Sequence, residues 1–212
     1  MAFEGWPAEA LEFFEGLAAD NSKSYWLAHK DVYDTCVLAP MRELAAELEP
    51  EPGESKIFRP YRDVRFSKDK SPYKTEIAAV IGDGYVRLSA DGLGAGRGLH
   101  EMAPDQLDRY RGAVAADATG DALEQIVEAL RTQGATVQGH QALKRVPPGY
   151  PADHPRADLL RQKGLYAWKQ WPVEPWLGTP TARAEVSGFL TAVQPLSEWL
   201  TRHVGPSELP AR

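Results

Sequence analysis

The sequence predicts an α+β protein with a central, mainly antiparallel sheet and helices packed around it, folded as a single domain. Three observations predict it. Apolar residues at helical spacing fill roughly the first 50 positions and return after residue 104. Between them, over 56–100, the period shortens to two and glycine-bearing turns separate the runs. Helices that flank a strand meander, rather than alternate with single strands, suit antiparallel pairing and not a doubly wound parallel sheet. At 212 residues one layered core is expected over 1–212, comprising N-terminal helices (1–50), a strand meander with a basic hairpin (56–100) and mixed helices and short strands (104–212).

The elements follow in order. Pro7 to Ala19 reads as a helix with Leu11, Phe14, Leu17 and Ala18 on one face. Asp20-Asn21-Ser22 stops it and caps a second helix from Lys23 to Val37. Pro40 cannot sit in a continuous helix interior, so a third segment covers Met41 to Leu48, ended by Pro50 to Gly53. Strands are predicted at Lys56–Phe66, Tyr73–Ile81 and Tyr85–Ala90, broken by Ser67–Pro72 and by Asp83-Gly84 and closed by Asp91-Gly92. Helices follow over 104–116 and 121–132, the latter with Leu123, Ile126, Val127 and Leu130 on one face. A short strand is expected within 137–146, a rigid loop at Pro147–Pro151 and a short helix over 155–162. An edge strand should run over 165–173, bounded by Pro172 and Pro175, and a terminal helix over 181–203 kinked at Pro195.

Composition narrows the function classes. A hydrophobic fraction of 43% with 25% charged residues excludes global disorder. No basic leader precedes an apolar run and no stretch of about 20 apolar residues occurs, so a cytoplasmic protein without a membrane partner is expected. Cys36, the single cysteine, permits no disulfide within the chain and no thiolate cluster. It reads as a core thiol. The five histidines, at 29, 100, 140, 154 and 203, lack chelating spacing, so neither metal nor cofactor is expected. No nucleophile-elbow motif is present.

Charge is where the sequence becomes specific. Net charge is −6, yet 56–74 carries seven cations (Lys56, Arg59, Arg62, Arg65, Lys68, Lys70 and Lys74) against Asp63 and Asp69. The rest of the chain holds 17 basic and 28 acidic residues, so a local +5 sits within a global −11. That contrast suits a confined anion site better than a broad nucleic-acid surface. Strand alternation puts Phe58, Pro60, Arg62, Val64 and Phe66 on one face, and Ile57, Arg59, Tyr61, Asp63 and Arg65 on the other. The first face is expected to be core, which would oblige Arg62 to meet a carboxylate or a bound anion. Asp63 lies within ion-pairing reach of Arg65 and Arg59. A hairpin would return Lys68, Lys70, Tyr73 and Lys74 toward the arginines, with Asp69 among them, and forked guanidiniums with ammonium groups suit phosphate or carboxylate. The competing reading is a solvated hairpin in which the two aspartates balance their neighbours.

The run Arg59-Pro-Tyr-Arg-Asp-Val-Arg-Phe-Ser-Lys-Asp-Lys-Ser-Pro-Tyr-Lys74 resembles the signature of domain-of-unknown-function family 2461, found in bacteria and fungi. Asn21-Ser-Lys-Ser-Tyr-Trp26, with Lys30 and Tyr33 following, is similar to the family's Asn-Asn-Arg-Glu-Trp-Phe element. Leu143-Lys-Arg-Val-Pro-Pro-Gly-Tyr150 and His154-Pro155 resemble its Lys-Arg-x-Pro-x-Gly and His-Pro elements. Two departures stand out, Ser24 where the family tends to carry an acid and Glu76-Ile77 in place of Asn-aromatic. The resemblance covers nearly the whole chain and implies no established activity.

Weaker signals remain. Gly92–Gly98 with Arg97 could cradle a phosphate, but a turn or bulge between strands is the expectation. Lys144, Arg145 and His154 either complete an anion site or serve a strand end and a turn. Tyr166, Trp168, Trp171 and Trp176 either stack on a base or form an aromatic core edge, the latter being expected. The leading functional expectation is therefore a basic site for a phosphorylated or otherwise anionic small molecule, which, if catalytic, would perform phosphate or nucleotide chemistry. In it Arg59, Arg62, Arg65, Lys68, Lys70 and Lys74 bind, Asp63 orients and Tyr73 lends a hydroxyl. The alternative is a non-catalytic protein whose hairpin docks nucleic acid or an acidic partner.

Overall fold

The computed structural model describes residues 2–49, 55–65 and 68–210. It is α+β, with six strands in one antiparallel sheet of order β1-β2-β3-β4-β6-β5. By contacts the chain falls into two compact units, residues 1–95 with 170–189 and residues 96–169 with 190–212.

In the first unit, α1 (Ala8–Ala19) begins after extended Pro7 and buries Ala10, Phe13, Phe14 and Leu17. The Ser22 hydroxyl accepts the Tyr25 N–H at 3.1 Å and so caps α2 (Lys23–Ala28). The expected straight helix to Val37 is interrupted: a short α3 (Lys30–Val32) leads into a π-helical segment, Tyr33–Leu38, and then α4 (Ala39–Leu48). Pro40, in the first turn of α4, has no N–H and its ring would press on the Cys36 carbonyl in regular α geometry, so the chain widens just before it. Cys36 lies in this wide turn half-buried, not in the core. α4 packs on β1 (Ser55–Ile57) and β2 (Glu76–Ile81).

β2 pairs with β3 (Gly84–Ser89) from Glu76↔Ser89 to Ile81↔Gly84. The turn between them is Gly82-Asp83 rather than Asp83-Gly84, with Gly82 supplying the positive φ of 56°. The predicted strand 56–66 shrinks to β1. Beyond it the backbone stays extended and still bonds across: Arg62 N–H to the Pro72 carbonyl at 2.9 Å and Lys74 N–H to the Pro60 carbonyl at 2.7 Å, around a Tyr61↔Tyr73 bridge. Each of those bonds lacks its reciprocal, because Pro60 and Pro72 have no N–H, and the ladder cannot propagate. Phe66, Ser67 and the predicted helix stop at Pro50–Gly53 lie outside the described residues.

The glycine-rich stretch read as a turn or bulge is β4 (Gly92–Leu99), an internal strand. Close neighbours explain its glycines: in the second unit a Cβ on Gly96 would stand 2.7 Å from the Trp168 ring, and one on Gly98 2.5 Å from the Leu165 carbonyl oxygen. β6 (Leu165–Trp171) is internal too, between β4 and β5 (Thr136–Gln138), so the edge assignment is corrected. The prolines that suggested an edge fall after its end. β5 is the short strand expected within 137–146, lying at the start of that stretch and beginning one residue before it.

In the second unit α5 (Pro104–Ala115) packs on α6 (Asp117–Thr132), α7 (Ala157–Leu160) and α9 (Gln194–His203), and α6 also packs on α9 and β5. α6 starts four residues before the predicted 121. The terminal helix is two helices, α8 (Thr181–Ala192) and α9 (Gln194–His203), with Pro195 in the first turn of α9, where a missing N–H is harmless.

Candidate anion-binding site

The base of the hairpin is anchored by an amide clamp. Asn21 Oδ1 accepts the Tyr73 N–H at 3.0 Å and Asn21 Nδ2 donates to the Tyr73 carbonyl at 3.1 Å, satisfying both backbone groups of one residue. Trp26 lies flat against the Tyr73 ring, with centroids 4.5 Å apart and planes 7° from parallel. Tyr33 and Phe13 extend the cluster, at 4.8 and 5.9 Å from Trp26. Tyr73 is only 5% exposed and Trp26 4%. Burial raises the Tyr73 hydroxyl pKa, and burial first, then Asp34, pushes Tyr33 up to about 12. Tyr73 thus acts here as the ring that seats the hairpin.

Above this anchor the alternation read from sequence holds, in weakened form: Phe58, Pro60, Arg62 and Val64 are half-buried, while Arg59, Tyr61, Asp63 and Arg65 are exposed. The inner face is therefore not core. Arg62 is 33% exposed and its partner is Asp69, from the returning limb. Asp69 also accepts from the Ser71 hydroxyl and N–H, which, foremost, hold its carboxyl below the usual range. Arg65 forks onto Asp63, Nε to Oδ1 at 2.9 Å and Nη2 to Oδ2 at 2.6 Å, and this pairing depresses the Asp63 carboxyl, with Arg59 adding to it. Lys70 donates to the Val64 carbonyl at 2.9 Å.

The remaining cations divide between two sides. Lys74 and Lys56 both approach the Phe58 ring, at 5.3 and 5.9 Å from its centroid, with Tyr85 beside it. Glu76, at the position of one departure from the family pattern, pairs with Arg87 at 3.3 Å, and Arg87 also donates to Gln170 at 3.1 Å. On the other side Arg59 accompanies Tyr61, whose ring lies 5.4 Å from Tyr73 and 6.0 Å from Trp26. Among the described residues, Lys56, Arg59, Lys68 and Lys74 have no carboxylate within ion-pairing distance. At the other departure, the Ser24 hydroxyl bonds to that of Ser22 at 2.8 Å.

Lys144, Arg145 and His154 belong to the second unit. Lys144 and Arg145 are exposed, and His154 Nδ1 accepts the Arg156 N–H at 3.0 Å, a turn role. Arg97, within the glycine-rich stretch, donates to the Leu190 carbonyl at 3.2 Å. Trp171 is core, bonded to Glu185 and packed edge-on against Phe189, while Tyr166 stacks on His100. Among the described residues no group of three or more metal-ligating side chains gathers, and no helix is long and apolar enough to cross a membrane.

Sequence reasoning left Asn21, Trp26, Tyr33 and Tyr61 out of the site. The available signal was the element from Asn21 to Tyr33, which the fold brings onto the hairpin through Asn21 and Trp26, so that two of the family-like elements form one construction. Arg156 was also missed, and nothing local in the sequence marks it. No curated protein and no solved structure matches the chain. The family model described as "Conserved hypothetical protein (DUF2461)" matches residues 9–199, spanning both elements, and the chain belongs to that family.

Proposed function

We propose that the hairpin binds a phosphorylated or otherwise anionic small molecule in the cytoplasm. One observation carries the reading: five cations of the segment, Lys56, Arg59, Lys68, Lys70 and Lys74, have no carboxylate partner among the described residues of a chain with net charge −6, Lys70 being bonded to a backbone carbonyl. Like charges gathered on one short hairpin repel, and an anion bound beside any of them relieves the repulsion. Asp63 and Asp69 occupy Arg65 and Arg62 and so brace the backbone from which the free cations project. The clamp on Tyr73 fixes the base of the hairpin, which lowers the ordering cost of binding. The single cysteine supports a reducing compartment.

Thermal unfolding with rising sulfate, against chloride at matched ionic strength, tests the proposal. The wild type should gain a sulfate-specific rise in midpoint that Arg59→Ala combined with Lys74→Ala removes. Equal midpoints in both salts would sink it. Tight duplex-DNA binding with a steep salt slope would favour the docking alternative instead.

A further inference from the structure

We infer that the ligand carries an aromatic ring next to its anionic group, as in a nucleoside monophosphate, and that the ring stacks on Tyr61; this rests on the anion-binding reading above. Among the described residues Tyr61 is the exposed member of the Phe, Trp and Tyr set, at 50%, although it belongs to a cluster whose other rings are buried. Tyr73 and Trp26 back it from one side, and the Tyr61↔Tyr73 bridge fixes its backbone. The ring is therefore held in place with a surface left open to solvent. An aromatic side chain so held can stack a base without losing further conformational freedom, and every base offers a π face.

The cations stand where such a ligand needs them. On an extended segment, side chains two residues apart share a face about 7 Å apart. Arg59 and the Asp63–Arg65 pair thus flank Tyr61 on its own face, within the span between a nucleobase and its own 5′-phosphate. Arg59, without a carboxylate partner, takes the phosphate. The other side of the hairpin has its cations over Phe58, half-buried with Tyr85 beside it, and offers no comparably open ring.

Calorimetric titration separates the parts. The probes are adenosine 5′-monophosphate, ribose 5-phosphate and inorganic phosphate. Adenosine 5′-monophosphate should bind about tenfold more tightly than ribose 5-phosphate. Tyr61→Leu should abolish that preference and leave ribose 5-phosphate binding unchanged. Tyr61→Phe, which keeps the ring, should retain the preference, and Arg59→Gln should weaken both ligands. A hexa-adenylate arm distinguishes a free nucleotide from a strand: a salt slope near that of the monophosphate assigns the free ligand, whereas a several-fold steeper slope assigns single-stranded nucleic acid. Equal affinity of the two sugar phosphates, or a preference that survives Tyr61→Leu, would overturn the stacking inference and leave the anion site standing. Failure of all three phosphates to bind would overturn both.

Discussion

Arginines in this chain are held in two opposite ways. Arg156, 4% exposed, is saturated by protein: Nε donates to the Val114 carbonyl at 2.6 Å, Nη2 to the Ala115 carbonyl and Asp117 at 3.0 Å each, and Nη1 to Asp121 at 2.6 Å. It closes the end of α5, whose last carbonyls have no helical partner, and neutralises acids in the first turns of α6. Gly120 leaves room for it, since a Cβ there would strike the guanidinium. Arg59, Arg62 and Arg65 stand at or near the surface, where Arg62 and Arg65 pair with exposed Asp69 and Asp63 and Arg59 has no carboxylate within ion-pairing distance among the described residues. Burial separates cations held by the protein from cations left to solvent. A guanidinium removed from water must have its donors met by the protein and has none left for a ligand, whereas a solvated one keeps them.

The largest break in the comparison should come from Arg156→Met. Leaving the Val114 and Ala115 carbonyls without their donors should lower unfolding free energy by about 2 kcal/mol, read by denaturant titration, without touching sulfate binding. The anchor beneath the hairpin should respond to pH. Tyr33 is raised from an ordinary value of 10.0 to about 12, so its contribution is complete below pH 10 and is lost as pH rises toward 12. Unfolding measured across that window should show a shallower alkaline loss in Tyr33→Phe than in the wild type. Asn21→Ala removes both bonds to Tyr73 and should cost about 1–2 kcal/mol, with a parallel loss of sulfate stabilisation because the hairpin is no longer seated. The smallest stability effect belongs to Asp63→Asn. The pair is exposed, so the unfolding midpoint should stay where it is, while release of Arg65 should tighten sulfate binding several-fold.

Legibility divided along physical lines. The presence of the helices was readable because proline, Ser22 and apolar spacing act locally, whereas the wide turn at Tyr33–Leu38 and the break between α8 and α9 were not. The β2–β3 hairpin was readable for the same reason, with its turn displaced by one residue. β4 was not, because glycine there answers to a ring and a carbonyl from a distant segment, Trp168 and Leu165, which no local pattern announces. β1 was overestimated because alternation persisted past the point where Pro60 and Pro72 remove the reciprocal donors. At the site, the alternating faces and the Asp63–Arg65 pair could be read from spacing two residues apart. The Asn21 clamp, 52 residues from Tyr73, could not, and neither could the saturation of Arg156 by acids 35 to 39 residues away.

An anionic ligand held by the hairpin's cations would perturb the backbone that carries them. Backbone amide shifts recorded by NMR during sulfate titration at constant ionic strength test this most directly, because they report place as well as affinity. Saturable shifts concentrated in 56–65 and 68–74, with Arg59 and Lys74 among the largest and none at Arg156, are expected. Shifts spread evenly over the surface, or centred on Lys144 and Arg145 with the hairpin silent, would contradict it.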